Sequence, residues 1–206
     1  VAAYNDPCGV ARALDAVGQR WALLVVRELL LGPKRFRDLV RGLDDMSPNV
    51  LSQRLKELTA AGVVRRASAG PPMSGPVYEL TEEGAALEPV LIALGRWGRR
   101  RPLVATGPMS RDALFLALRT TFDPVAAGDL AVDVELRIDD DRVSLCVDNG
   151  RLTMRRGPVP RPDATITGDV ASIRTLVYRP PPDTPVPGVT IRGDRAAVQR
   201  LLSALR

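Results

Sequence analysis

The most regular pattern of apolar and polar positions lies between Phe36 and Leu80. From Pro48 to Ala61 the apolar residues Leu51, Leu55 and Leu58 recur at i, i+4 and i+7, one stripe of a helix. Asn49, Ser52, Gln53, Lys56 and Ala60 fall on the opposite side at the same spacing. Ser47 and Pro48 suit the N-cap and first helical position, and Gly62 suits the end. Upstream, Gly32-Pro33 breaks the chain before a short helix, Phe36–Leu43, with Phe36, Leu39, Val40 and Leu43 on its apolar side. A tight turn around Leu43 to Met46 separates the two helices. Downstream, Val63–Arg66 and Val77–Leu80 read as strands around a Gly- and Pro-rich loop, Ala67–Pro76. Helix, turn, helix and hairpin predict a helix-turn-helix with a wing.

The flanks extend this unit. Cys8–Val17 is predicted helical, with Val10, Leu14 and Val17 on one stripe, after an arm at Val1–Pro7. Arg20–Leu31 is a stronger helix whose buried face is expected at Trp21, Leu24, Val25 and Leu29. Thr81 caps a further helix reaching Trp97, with a kink or restart at Pro89. Its stripe of Leu87, Val90, Leu91, Leu94 and Trp97 is wider than one small domain needs. It reads as a dimer interface, with intradomain packing as the alternative. Leu103–Pro108 reads as a linker.

Beyond it the periodicity changes. Ser110–Thr121 is a helix with Leu114, Phe115 and Leu118 inward. Val132–Ile138 and Val143–Asp148 alternate apolar and polar residues, Asn149-Gly150 marks a hairpin, and Leu152 and Met154 continue a third strand. Short strands at Ala164–Thr167 and Val189–Ile191 each precede a helix, Asp169–Tyr178 and Asp194–Leu205. The expected class is α+β: an N-terminal winged helix-turn-helix over 1–101 and a C-terminal α/β domain over 102–206 with a mainly antiparallel sheet.

Charge sharpens the picture. The net charge of +5 is local: the residues through Arg101 carry 15 basic and 11 acidic groups, those after it 14 and 13. A localised basic excess suits a polyanionic partner and by itself does not choose between nucleic acid and an anionic membrane; the helix-turn-helix arrangement points to double-stranded DNA. Lys34, Arg35, Arg54, Lys56, Arg65 and Arg66 are candidates for phosphate, and Asn49, Ser52 and Gln53, with Ser47 at the helix start, for bases. There is no histidine, no paired-carboxylate motif and no Gly-rich phosphate loop, which argues against an enzyme and implies no cofactor or metal. No apolar run is long enough for a membrane span, and Val1–Pro7 does not resemble a signal peptide. Two cysteines fit a reducing cytoplasm.

Several motifs together resemble the HxlR family of bacterial winged-helix regulators. They are Cys8 with Arg12-Ala13-Leu14, Gly18–Leu24, Arg27-Glu28-Leu29, Gly32–Phe36, Ser47–Leu58 and Tyr78-Glu79-Leu80-Thr81. The resemblance implies a homodimer on a roughly palindromic operator, with the two reading helices about 34 Å apart. The tip Pro71–Pro76 departs from it in carrying no charge, so wing contacts to phosphate rest on Arg65 and Arg66. Some relatives sense oxidants or quinones through a cysteine at this N-terminal position, which makes Cys8 a redox candidate. A small buried hydrophobe is the plainer reading of that cysteine.

The second half resembles the sterol-carrier-protein type-2-like domain through Asp163–Asp169, Val189–Asp194 and their helices. That fold encloses an apolar cavity. The resemblance implies an apolar or amphipathic effector lined by Phe115, Leu118, Leu136, Leu145, Met154, Leu176 and Leu202, a filled core being the alternative. The Pro-rich run Arg179–Gly188 replaces what often closes the tunnel. A carrier whose first half only dimerises it is the remaining alternative.

Overall fold

The computed structural model describes residues 4–70, 75–102, 104, 107–178 and 185–206. Residues 1–3 of the arm, 71–74 of the wing tip, most of 103–106 in the linker and 179–184 of the Pro-rich run lie outside the described residues. The chain forms two compact units, Val1–Leu94 and Gly95–Arg206. No described helix is long and apolar enough to cross a membrane.

The N-terminal unit begins with α1 (Gly9–Val17), α2 (Ala22–Leu29), α3 (Phe36–Gly42) and α4 (Pro48–Ala60). A hairpin of β1 (Val64–Ala69) and β2 (Gly75–Leu80) follows, then α5 (Glu82–Ala85) and α6 (Glu88–Gly98), which runs past Leu94. The α4 boundaries follow from its ends: Ser47 Oγ accepts the Val50 N–H, Pro48 occupies the first turn, and Gly62 turns the chain at φ +73°. Leu51, Leu55 and Leu58 are wholly buried against α1, α2 and β1.

Helix α2 differs from expectation. Trp21 precedes it at φ +78°, in the left-handed region, with the Arg20 guanidinium over its indole. The helix therefore starts at Ala22, and its buried face is Ala22, Val25, Val26, Glu28 and Leu29. Trp21 is only half-buried and Leu24 is exposed. The expected stripe assumed that helical phase began at Arg20.

The wing is longer than its strand signals. β1 and β2 pair from Val64↔Leu80 to Ala69↔Gly75, so most of the Gly- and Pro-rich stretch outside 71–74 is strand. Pro76 is tolerated because the hairpin has only two full strands and both are edges. Lys34 adds a short third rung, exchanging backbone hydrogen bonds with Tyr78. After Thr81, the chain breaks at Ala86 and Leu87 between α5 and α6, and Pro89, the expected kink or restart, lies in the first turn of α6.

The C-terminal unit holds α7 (Arg111–Thr121), α8 (Pro124–Ala127), β3 (Val132–Ile138), β4 (Asp141–Asp148), β5 (Arg151–Arg156) and β6 (Ala164–Thr167). It ends with α9 (Val170–Tyr178), β7 (Thr190–Gly193) and α10 (Arg195–Ala204). The strand order is β5-β4-β3-β6-β7, antiparallel except for the parallel β3–β6 pair. Val134, Leu136, Leu145, Met154 and Ile166 are buried on one face, with Leu114, Phe115, Leu118, Ile173, Val177, Leu201 and Leu202 of the helices.

The other face is polar, with one exception to its alternation. Glu135 is 1% exposed because the segment between β5 and β6 crosses over it, Val159 donating its N–H to Oε2 at 2.8 Å. Burial works to raise this carboxyl, but the Val159 N–H and the Arg137 guanidinium outweigh it and hold it below the usual range.

Candidate nucleic-acid interface

Helix α4 has two chemically different sides. Its apolar side is anchored, so its polar side is held rigidly outward: Ser47, Asn49, Ser52, Gln53, Lys56 and Ala60 are all exposed. Gln53 donates from Nε2 to Glu57 Oε1 at 2.8 Å, which orients the amide along the helix. Lys56 forms no ion pair among the described residues. Amides, a hydroxyl and a free ammonium on one exposed face match the donors and acceptors of base edges and phosphates.

Three expected phosphate ligands are placed differently. Lys34 is 9% exposed and its Nζ lies 2.8 Å from Glu28 Oε2. Arg54 lies mostly inside the protein and pairs with Glu57 three residues on. Arg35 is the half-buried N-cap residue of α3, with its Nε shielded from solvent. The Lys34 and Arg54 charges thus serve the fold before any partner. Ser47 is exposed but its Oγ is committed to capping α4.

The wing keeps its cations outside. Arg65 crosses to Glu79 at 2.7 Å with 67% of its side chain exposed, and Arg66 is exposed beside it. Sequence reasoning missed Arg37 and Arg41 on α3, whose side chains are 65% and 76% exposed around Asp38. Their signal was position: both lie off the apolar stripe that carries Leu39.

Elsewhere in this unit, Cys8 is exposed at the start of α1. Its sulfur makes no formal capping hydrogen bond, yet the N–H groups of Val10 and Ala11 face it and lower the thiol pKa. Cys146, half-buried on β4, is shifted upward by burial and by Asp133. Val10 and Leu14 on α1, and Val90, Leu94 and Trp97 on α6, are exposed apolar residues.

In the C-terminal unit, Phe115, Leu118, Leu136, Leu145, Met154 and Leu202 are buried together. Leu176 is only half-buried, since Ile173 and Val177 take the inward positions of α9. No cluster of metal-ligating side chains occurs among the described residues.

A braced helix with an exposed polar face, preceded by a short helix and followed by a two-stranded wing, defines a winged helix-turn-helix DNA-binding unit. Comparison with known proteins gives the family. The chain belongs to the HxlR-like helix-turn-helix family, which matches residues 16–102, and its N-terminal half is a transcriptional regulator of that type. YvaP of Bacillus subtilis, an uncharacterized HTH-type transcriptional regulator, is 40% identical over 86 residues, 42% of this chain and 80% of YvaP. The HTH-type transcriptional regulator YodB of B. subtilis is 34% identical over 85 residues, 41% of this chain and 76% of YodB. The crystal structure of quinone-bound YodB superposes with a TM-score of 0.39 at 32% identity, covering 45% of this chain and 97% of that one.

Proposed function

We propose that the chain is a homodimeric, ligand-responsive regulator of a roughly palindromic operator. The observation that carries this is the outward face of α4: Asn49, Ser52, Gln53 and Lys56 are exposed while Leu51, Leu55 and Leu58 are fully buried. Asn49, Ser52 and Gln53 read bases; Lys56, Arg66 and Arg65 neutralise phosphate, with Arg65 first releasing Glu79. The exposed apolar residues of α1 and α6 support dimerisation. The test is fluorescence anisotropy of the full chain on duplexes enriched from a random pool, across a salt series. A selected sequence that repeats as two half-sites about one helical turn apart is the expected result. Failure to bind any duplex at low salt overturns the reading.

The C-terminal unit is proposed as the effector domain, of sterol-carrier-like type. Its five-stranded, mainly antiparallel sheet with helices over one face supports this. An apolar or amphipathic effector would lie between sheet and helices, among Phe115, Leu118, Leu136, Leu145, Met154 and Leu202, with Leu176 at the margin. Native mass spectrometry of the purified protein tests it by co-purified mass.

A thiol switch is the second reading, favoured by the exposure of Cys8 and its lowered pKa. Operator affinity that falls on diamide treatment in the wild type and persists in Cys8→Ser is the expected outcome. Equal loss in both removes Cys8 from the mechanism.

A further inference from the structure

The polar side of the C-terminal sheet carries a feature that neither DNA binding nor an apolar cavity uses. Arg137, Thr165, Thr167, Thr190 and Arg192 line a solvent-open concavity of about 470 Å³. The strand register places them in two rows. Arg137 pairs with Thr167, which pairs with Thr190; Glu135 pairs with Thr165, which pairs with Arg192. The two arginines therefore stand at opposite corners with threonine hydroxyls between them. Adjacent strands are about 4.8 Å apart and residues rise about 3.4 Å along a strand, which puts their Cα atoms roughly 12 Å apart. Two extended guanidinium side chains at that separation can converge on one small molecule.

Threonines on an open sheet face are ordinary, since β-branched residues favour strands. The charge is not ordinary. Cross-strand neighbours on a solvated face usually balance like charges with opposite ones. Here β6 and β7 place no acidic residue on that face. Glu135, the register partner of Thr165, is buried and already holds the Val159 N–H and Arg137 Nε. Arg192 is exposed and forms no ion pair among the described residues. Thr165, Thr167 and Thr190 show no side-chain hydrogen bond among them either. Arg142 lies beside Arg137 in the register, also exposed, and adds a third cation. The face thus offers the unpaired fork of Arg192, the terminal nitrogens of Arg137 beyond its Nε–Glu135 pair, and three uncommitted hydroxyls, donors suited to a carboxylate or phosphate.

We propose that this face binds a small organic anion with a carboxylate or phosphate at each end. Arg192 takes one end, Arg137 the other, and the threonine hydroxyls donate to oxygens between them. The site belongs to the C-terminal unit alone and does not depend on operator recognition, so it is measured without DNA.

The experiment is isothermal titration calorimetry of the full chain at constant ionic strength. Succinate and 3-phosphoglycerate are the two-ended probes; acetate and inorganic phosphate are the single-ended ones. A two-ended probe saturates at one per chain, and the single-ended probes bind at least tenfold more weakly. The carboxylate and phosphate arms then distinguish the source of the ligand. Arg192→Gln weakens binding at least tenfold and Thr167→Val a few-fold, while Arg195→Gln, at the start of α10, leaves it unchanged. Both test residues are exposed, so folding is checked by an unaltered thermal midpoint without ligand. Absence of saturable binding by either two-ended probe, or equal binding by Arg192→Gln and wild type, overturns the proposal. So does an Arg192→Gln protein that instead shows a shallower salt dependence on duplex DNA, which makes the face a backbone contact.

Discussion

Lys34 Nζ lies 2.8 Å from Glu28 Oε2, and Glu28, which also holds Arg27, is completely buried in α2. A lysine expected at a phosphate is thus an internal counter-ion, tying the strand that leads into the helix-turn-helix to the helix behind it. Gly42 closes the same site, because a Cβ there would lie 2.2 Å from Glu28 Oε2. Removing one member of a buried charged group is costly, so Glu28→Ala should lose about 3–5 kcal/mol of stability. Urea unfolding midpoints check this. Gly42→Ala should also destabilise, by displacing the carboxylate.

On α4 the exposed face divides into two kinds of contact. Lys56→Ala should weaken all sequences alike and reduce the salt slope by about one phosphate equivalent. Gln53→Ala should instead flatten preference at one base position, by about 1–3 kcal/mol. Arg54→Ala should lower stability with little change in salt slope, since its partner is Glu57. Anisotropy titrations on matched and mismatched duplexes separate the three.

The two cysteines should differ in reactivity. Thiolate is the nucleophile, and Cys8 is exposed with a lowered pKa while Cys146 is half-buried with a raised one. Iodoacetamide at neutral pH should label Cys8 several times faster. Peptide mass spectrometry over a time course reads the ratio.

Glu135 makes acid stability local. Its folded pKa lies below the ordinary carboxylate value of about 4.3, so its contribution is complete above that value and lost as pH falls through the folded one. As pH falls below about 4.3, the wild type should lose stability more steeply than Glu135→Gln. Denaturant melts at stepped pH test the difference.

The exposed apolar side of α6 carries the dimer prediction. Leu94 is 45% exposed, so Leu94→Glu should cost the monomer little and shift the protein to monomers. Sedimentation velocity reports the mass; a half-site duplex reports whether single units still bind.

Much of the N-terminal unit was legible because independent signals coincided. At α4 a cap, a proline, an apolar period and a terminal glycine all agree on the same boundaries. Trp21 and Leu24 were misplaced because one left-handed residue resets the helical phase, and no local pattern marks it. Lys34 was misread because its partner lies on the preceding helix. The Arg54–Glu57 pair, by contrast, sits at a spacing that could have been read directly. In the C-terminal unit the strands were visible but their order was not. The burial of Glu135 depends on a crossing segment that alternation cannot anticipate, and the Arg137–Arg192 face exists only once β6 separates β3 from β7.

The place of β6 between β3 and β7 has a consequence for how the chain assembles. β3, β4 and β5 pair with their sequence neighbours, whereas β6 joins β3 in parallel and waits for β7 to cover its other edge. Local hairpins form quickly and distant parallel pairing slowly. The meander is therefore poised to fold during synthesis, while Ala164–Thr167 stays a bare edge until Thr190–Gly193 emerges. Shortened chains ending before Thr190 would display that edge permanently, an invitation to self-association that pairing with Thr190–Gly193 removes from β6.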